Sequence, residues 1–115
     1  MKRTLQVYNF SIEFDIDTYG LPQLSGSEKQ IAWASDIRES AFSYLAVQKA
    51  AAGSEYGTSG PTGRKISVGA VEKAIETLMK EMQTVTSAAK IIERRQRIHP
   101  DKIGRICEDL TAAGM

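Results

Sequence analysis

The sequence predicts an α+β domain, mainly helical, with about four helices, one of them long, and an N-terminal β-strand or hairpin. Three observations predict it. Apolar residues alternate with period 2 near the N-terminus. Two helix-capping patterns overlap just ahead of residue 28, and later apolar residues recur at spacings of 3 and 4. The 115 residues suit one domain, 1–115, because a chain of this size has no room for a second independent core.

From Tyr8 to Asp17 the chain alternates strictly, with Tyr8, Phe10, Ile12, Phe14 and Ile16 on one face and Asn9, Ser11, Glu13, Asp15 and Asp17 on the other. Leu5 and Val7 have the opposite parity. A bulge or short turn near Tyr8-Asn9 is therefore needed to bring both apolar sets to one side, and one bent strand or a short hairpin satisfies the pattern. A lone strand leaves its backbone polar groups unpaired, so it needs a mate in the chain or in a second protein. The best internal candidate is the brief alternation Arg64-Lys65-Ile66-Ser67-Val68; failing that, a homodimer through the N-terminal strand is expected.

Gly20, Pro22, Ser25 and Gly26 mark a turn region. Ser25 precedes Glu28, and Ser27 precedes Gln30, by three residues each, so two capping boxes compete to open a helix from Glu28 to Ala52. At 1.5 Å per residue this helix spans roughly 36 Å, about the width of the domain. Its stripe carries Ile31, Ala34, Ile37 or Arg38, Ala41, Leu45 and Gln48, with Trp33 and Tyr44 beside it, and Gly53 is the natural stop. Residues 53–63 contain four glycines and a proline, which predicts a mobile loop. A second helix starts near Ser67 or Val68 and buries Val68, Val71, Ile75, Leu78 and Met82. A third follows the caps Thr84 or Thr86 with Ala88, Ala89, Ile91 and Ile92 inside. Pro100 then opens a last helix that buries Ile103, Ile106, Cys107 and Leu110, weakened by Gly104.

Composition excludes several functional classes. Hydrophobic residues make up 42% and charged residues 25% of the chain, which argues against disorder or a fibrous repeat. No run approaches the roughly 18 apolar residues of a membrane span, and Gln6, Asn9, Ser11 and Glu13 interrupt any signal-peptide core after Lys2-Arg3. A cytoplasmic protein without membrane contact is expected. The lone Cys107 forms no internal disulfide, and one histidine with one cysteine makes no zinc site, so neither metal nor cofactor is expected.

No catalytic residue is expected either. His99 has no nucleophile or carboxylate pair arranged as a relay, and its place before Pro100 suits a helix cap. Cys107 reads as a small core hydrophobe. Glu72, Glu76 and Glu81 lie on the outer face of the second helix, balanced by Lys73 and Lys80. The loop from Gly57 to Lys65 combines glycines, hydroxyls and a lysine, but a phosphate cradle needs four residues between its glycines and then Lys at once, after a strand. Arg64 intrudes here, and a helix precedes the loop.

The net charge of +1 conceals an asymmetry: residues 1–60 hold five basic and seven acidic groups, and residues 61–115 hold ten and seven. Lys90, Arg94, Arg95, Arg97, Lys102 and Arg105 stand in the stretch 90–105 against only Glu93 and Asp101. Lys90, Arg94 and Arg97, at i, i+4 and i+7, make a basic stripe if one helix carries them. Such a stripe can meet phosphates, an acidic protein, or only solvent. No aromatic lies among these residues, which removes the stacking platform of a single-strand binder. Trp33 is expected to pack on the strand face of Phe10, Ile12 and Phe14; alternatively, Lys29, Gln30, Trp33 and Arg38 form a secondary candidate interface.

Residues 21–38, and within them Leu24, Gly26-Ser27, Lys29-Gln30, Trp33-Ala34 and Ile37-Arg38, carry a recognisable pattern. It resembles a group of small proteins and protein segments of bacterial mobile elements, phages and plasmids, in which these pairs recur at these spacings. A second short segment follows in that group, and Thr86 to Arg95 is similar to it, although it lacks a tryptophan near Ile91 or Ile92. The resemblance implies a genetic context and no particular reaction. Together with small size and sparse catalytic vocabulary, it makes a non-catalytic interaction protein the leading expectation, such as a counter-defence inhibitor of the anti-CRISPR kind that binds a host protein or nucleoprotein. The alternative is a nucleic-acid-binding accessory or regulatory protein that uses the basic residues of 90–105.

Overall fold

A computed structural model describes residues 2–115 and shows an α+β fold: a two-stranded antiparallel sheet followed by four helices. Strand β1 (Lys2–Val7) pairs with β2 (Phe10–Asp15) in a register that sets Leu5 against Ile12 and Val7 against Phe10. The parity conflict in the sequence is resolved by a two-residue turn at Tyr8-Asn9. Tyr8 adopts φ 50°, a left-handed conformation that a residue with a Cβ seldom takes. The alternation therefore ends earlier than its pattern suggests: Tyr8 lies in the turn, and Ile16 and Asp17 belong to a 3₁₀ turn (Ile16–Tyr19). β2 finds its mate in Lys2–Val7, not in residues 64–68, where Lys65 instead bridges Ser59. The unpaired strand that motivated a homodimer is paired within the chain.

The hairpin packs on the long helix α1 (Glu28–Ala52) through a ladder of rings. Phe14 stands 6.2 Å from Tyr19, and Tyr19 stands 4.5 Å from Phe42, which is fully buried. Phe42 takes the place expected of Trp33, which is 50% exposed and packs on none of the strand aromatics. Burying a phenylalanine completely contributes about 1.5–3 kcal/mol, so the ladder is a principal bond between sheet and helices. At its edge Arg3 lies 5.7 Å above the Phe14 ring and reaches Glu39 Oε1 at 2.8 Å.

Of the two competing caps, Ser27 wins: its hydroxyl accepts from the Gln30 amide, and Gln30 Oε1 accepts from the Ser27 amide. Ser25 is released for a different task. Its amide donates to Thr86 O at 2.7 Å, and its carbonyl accepts from the Ala88 amide at 2.9 Å, forming a parallel bridge between the segments that precede α1 and α3 (Ala88–Glu93). Gly26, at φ 142°, lies so close that a Cβ would stand 3.4 Å from that of Ala88.

Helix α2 (Val68–Gln83) buries Val71, Leu78 and Met82 as its periodicity requires, with Val68 and Ile75 half-buried. Helix α4 (Pro100–Ala112) is rotated from its expected stripe. It buries Ile103, Gly104, Cys107 and Glu108, leaves Ile106 41% exposed, and leaves Leu110 only half-buried. Gly104 is the reason, because a Cβ there would collide with the Tyr44 hydroxyl and the Pro61 ring. α1 touches the hairpin and the other three helices, which makes it the axis of the core.

Candidate binding surface

The basic residues of 90–105 do not share one helical face. α3 stops at Glu93, and residues 94–99 form successive turns, so the i, i+4, i+7 spacing of Lys90, Arg94 and Arg97 is broken. Arg94 and Arg97 instead converge on Glu81 of α2, at 3.7 and 3.8 Å from Oε1. Arg105 pairs with Asp101 on its own helix at 3.4 Å. Lys90 and Lys102 are exposed.

Arg95 turns the other way. Its guanidinium lies 5.4 Å above the indole of Trp33, while one nitrogen donates to Ile92 O at 2.8 Å. A cation over an indole face is attracted by the ring quadrupole, worth roughly 0.5–1 kcal/mol at an exposed site. The fold thus joins one residue of each candidate interface and places an aromatic beside the basic segment, which the linear sequence keeps 62 residues away. Lys29, one helical turn before Trp33, shares its face of α1 and is exposed. Gln30 is engaged in the cap. Arg38 is half-buried, donates to Pro22 O at 2.9 Å, and keeps its Nε buried without a partner. Burial pushes its guanidinium pKa down, and the residue serves the turn ahead of α1.

Beside Trp33 opens a cleft of about 400 Å³ between α1 and the 95–100 segment. Ile37, Ile98 and Pro100 supply apolar walls, and Asp36, Ser40 and Gln96 supply polar groups at the edge. None of these three polar residues is singled out by sequence reasoning. The signal was present for two of them, since Asp36 and Ser40 follow Trp33 by 3 and 7 residues and so share its helical face.

His99 also lines this cleft and is occupied structurally: it caps α4, its Nδ1 accepting from the Asp101 amide at 3.1 Å. Cys107 is fully buried, and burial, with the nearby Glu108 charge, pushes its thiol up to about 11. Glu108 is the one buried charged residue among those described. Burial alone would raise its pKa, but it accepts from the Thr62 hydroxyl at 2.8 Å and from the Thr62 and Arg64 amides at 3.2 and 2.8 Å. These donors, with the Arg64 guanidinium at 3.9 Å, hold the carboxyl below its ordinary range. The glycine-rich loop is thereby fastened onto α4. Gly60 allows the approach, since a Cβ there would stand 2.5 Å from Glu108 Cγ. Among the described residues, no three His, Cys, Asp or Glu side chains cluster to hold a metal. Among the described residues, no helix is long and apolar enough to cross a membrane.

Compared with protein-family models, with curated proteins and with solved structures, the chain matches none.

Proposed function

We propose that this is a non-catalytic binding protein that acts by occupying a surface of a host protein or nucleoprotein, in the manner of a counter-defence inhibitor from a mobile element, in the cytoplasm. The observation that carries the reading is the half-exposed Trp33 with Arg95 stacked over it at the mouth of a cleft. A large amphipathic ring left at the surface, beside an arginine, is the composition of an interface hot spot. The two segments that resemble mobile-element proteins support the same surface, because residues 24–38 and 86–95 are bridged at Ser25 and Ser87 and supply Trp33 and Arg95. Occupation of His99, Cys107 and Glu108 in capping, core and loop anchoring favours binding over catalysis.

The alternative, a nucleic-acid-binding accessory protein, is favoured by one specific observation: Trp33 supplies the aromatic missing from the basic segment itself. Capture from a bacterial host lysate tests the leading reading. The wild-type chain is expected to enrich a defined factor that Trp33→Ala and Arg95→Ala lose while keeping their helical circular dichroism. Enrichment of nothing, or equal enrichment by both variants, would overturn it.

A further inference from the structure

We infer that the cleft beside Trp33 accepts a nucleobase of a single-stranded nucleic acid, with the ring stacked at Trp33 and the adjoining phosphates met by Arg95 and Lys29. The inference rests on the α1–α3 face being the surface that binds, and adds the chemistry of what it binds.

Three features select a nucleic-acid strand over an acidic peptide. The first is the flat indole of Trp33, which stacks on a base irrespective of its sequence. A carboxylate side chain makes no use of that face. The second is charge. Arg95 lies over the indole and the exposed Lys29 stands one helical turn before it on α1, while Arg94 and Arg97 are engaged by Glu81 and Arg105 by Asp101. The third is Asp36 at the cleft edge. An acidic peptide inserted beside Trp33 would meet this carboxylate with repulsion, whereas the amino group of a base donates to it, and Gln96 and Ser40 offer the remaining donors and acceptors that a base edge needs. A cleft of about 400 Å³, lined by Ile98, has room for a flat ring and is too small for a double helix.

Trp33 is the sole tryptophan, so its fluorescence reports the site directly. The full chain is titrated with a short oligodeoxycytidylate, whose bases carry the amino group, a duplex of matched length, and polyglutamate. Quenching by the single strand is expected, with much weaker effects from the other two. Two phosphate contacts require the single-strand affinity to fall about sevenfold for a fourfold rise in salt. In filter binding, Trp33→Ala is expected to lose about tenfold or more, Trp33→Phe to retain most of the affinity, and Arg95→Ala to flatten the salt dependence. No quenching by the single strand, equal quenching by polyglutamate, or equal binding by Trp33→Ala overturns the inference. If Trp33→Ala and Arg95→Ala abolish capture of a lysate factor while no oligonucleotide quenches Trp33, the surface stands and its nucleic-acid assignment falls. If the oligonucleotide quenches while capture is unaffected by both variants, the lysate reading falls instead.

Discussion

Two irregular segments frame α4, and they are held in opposite ways. The loop ahead of α2 is rich in glycine and closes over a buried carboxylate, Glu108, whose oxygens receive two backbone amides and a hydroxyl. The turns at 94–99 are rich in arginine and lean on Glu81, a half-exposed carboxylate reached at 3.7–3.8 Å. A segment that composition marks as loose is thus tied by short bonds to a buried acceptor, whereas the charges of the arginine segment are held by weak surface pairs and the segment is anchored by the buried Ile98. Burial of the acceptor, and not the number of charges, separates the two.

The largest expected effect comes from forcing the loop off α4. Gly104→Ala places a methyl group against Tyr44 and Pro61, and overpacking of this kind costs about 1–3 kcal/mol in thermal or denaturant unfolding. Cys107, on the same helix face, reports whether the site opens. Wild type is expected to resist thiol reagents at neutral pH, because its thiol is buried with a pKa of about 11, and Gly104→Ala is expected to react faster. Equal stability and equal reactivity would mean that the loop does not depend on that contact.

A smaller and more local effect follows from Glu108→Gln. It keeps the shape but removes the charge from the hydrogen bonds, so the Thr62 and Arg64 amides are expected to exchange with solvent about tenfold faster while the α1 core is unchanged. Protonation does the same to wild type. Since the folded pKa of Glu108 lies below its ordinary value, its contribution is present above the ordinary carboxylate range and is lost as pH falls through the folded value. Acid, not alkali, therefore loosens the loop, and a Thr62 protection factor, the intrinsic amide exchange rate divided by the observed one, that stays flat as pH falls below about 4 would contradict this.

The smallest effect is expected from Glu81→Gln, which releases Arg94 and Arg97 at a cost of about 0–1 kcal/mol and leaves loop exchange untouched. A loss as large as that of Gly104→Ala would erase the distinction between the two segments.

Much of this fold is legible in the sequence because it follows from period and punctuation. The bounds of α1 follow from Ser27 and Gly53, the stripe of α2 follows from its 3 and 4 spacing, and the break at Tyr8-Asn9, as a bulge or a turn, follows from the parity clash between Val7 and Phe10. What escapes is set by partners distant in sequence. Glu108 carries no signal of its own in the sequence, since its role depends on Thr62 and Arg64, and Gly104 reads as a helix weakness until Pro61 and Tyr44 crowd it. Trp33 reads as core because strand aromatics are available, and Phe42 takes them. The basic stripe fails because the helix ends at Glu93, a boundary marked by no glycine or proline. Only the fold brings Arg95 to Trp33.

The bridge between Ser25 and Ser87 joins points of the chain 61 residues apart when measured from Ser25 to Thr86. Closing a flexible loop of that length costs about 4 kcal/mol of chain entropy before any contact across it is gained. The α1–α3 face therefore does not preexist in a fragment that ends before α3, nor in a chain whose intervening helix has not folded back. It forms cooperatively with the rest of the molecule and disappears with it, so proteolytic trimming past Glu93 from the C-terminal side, or global unfolding, switches the surface off as a unit.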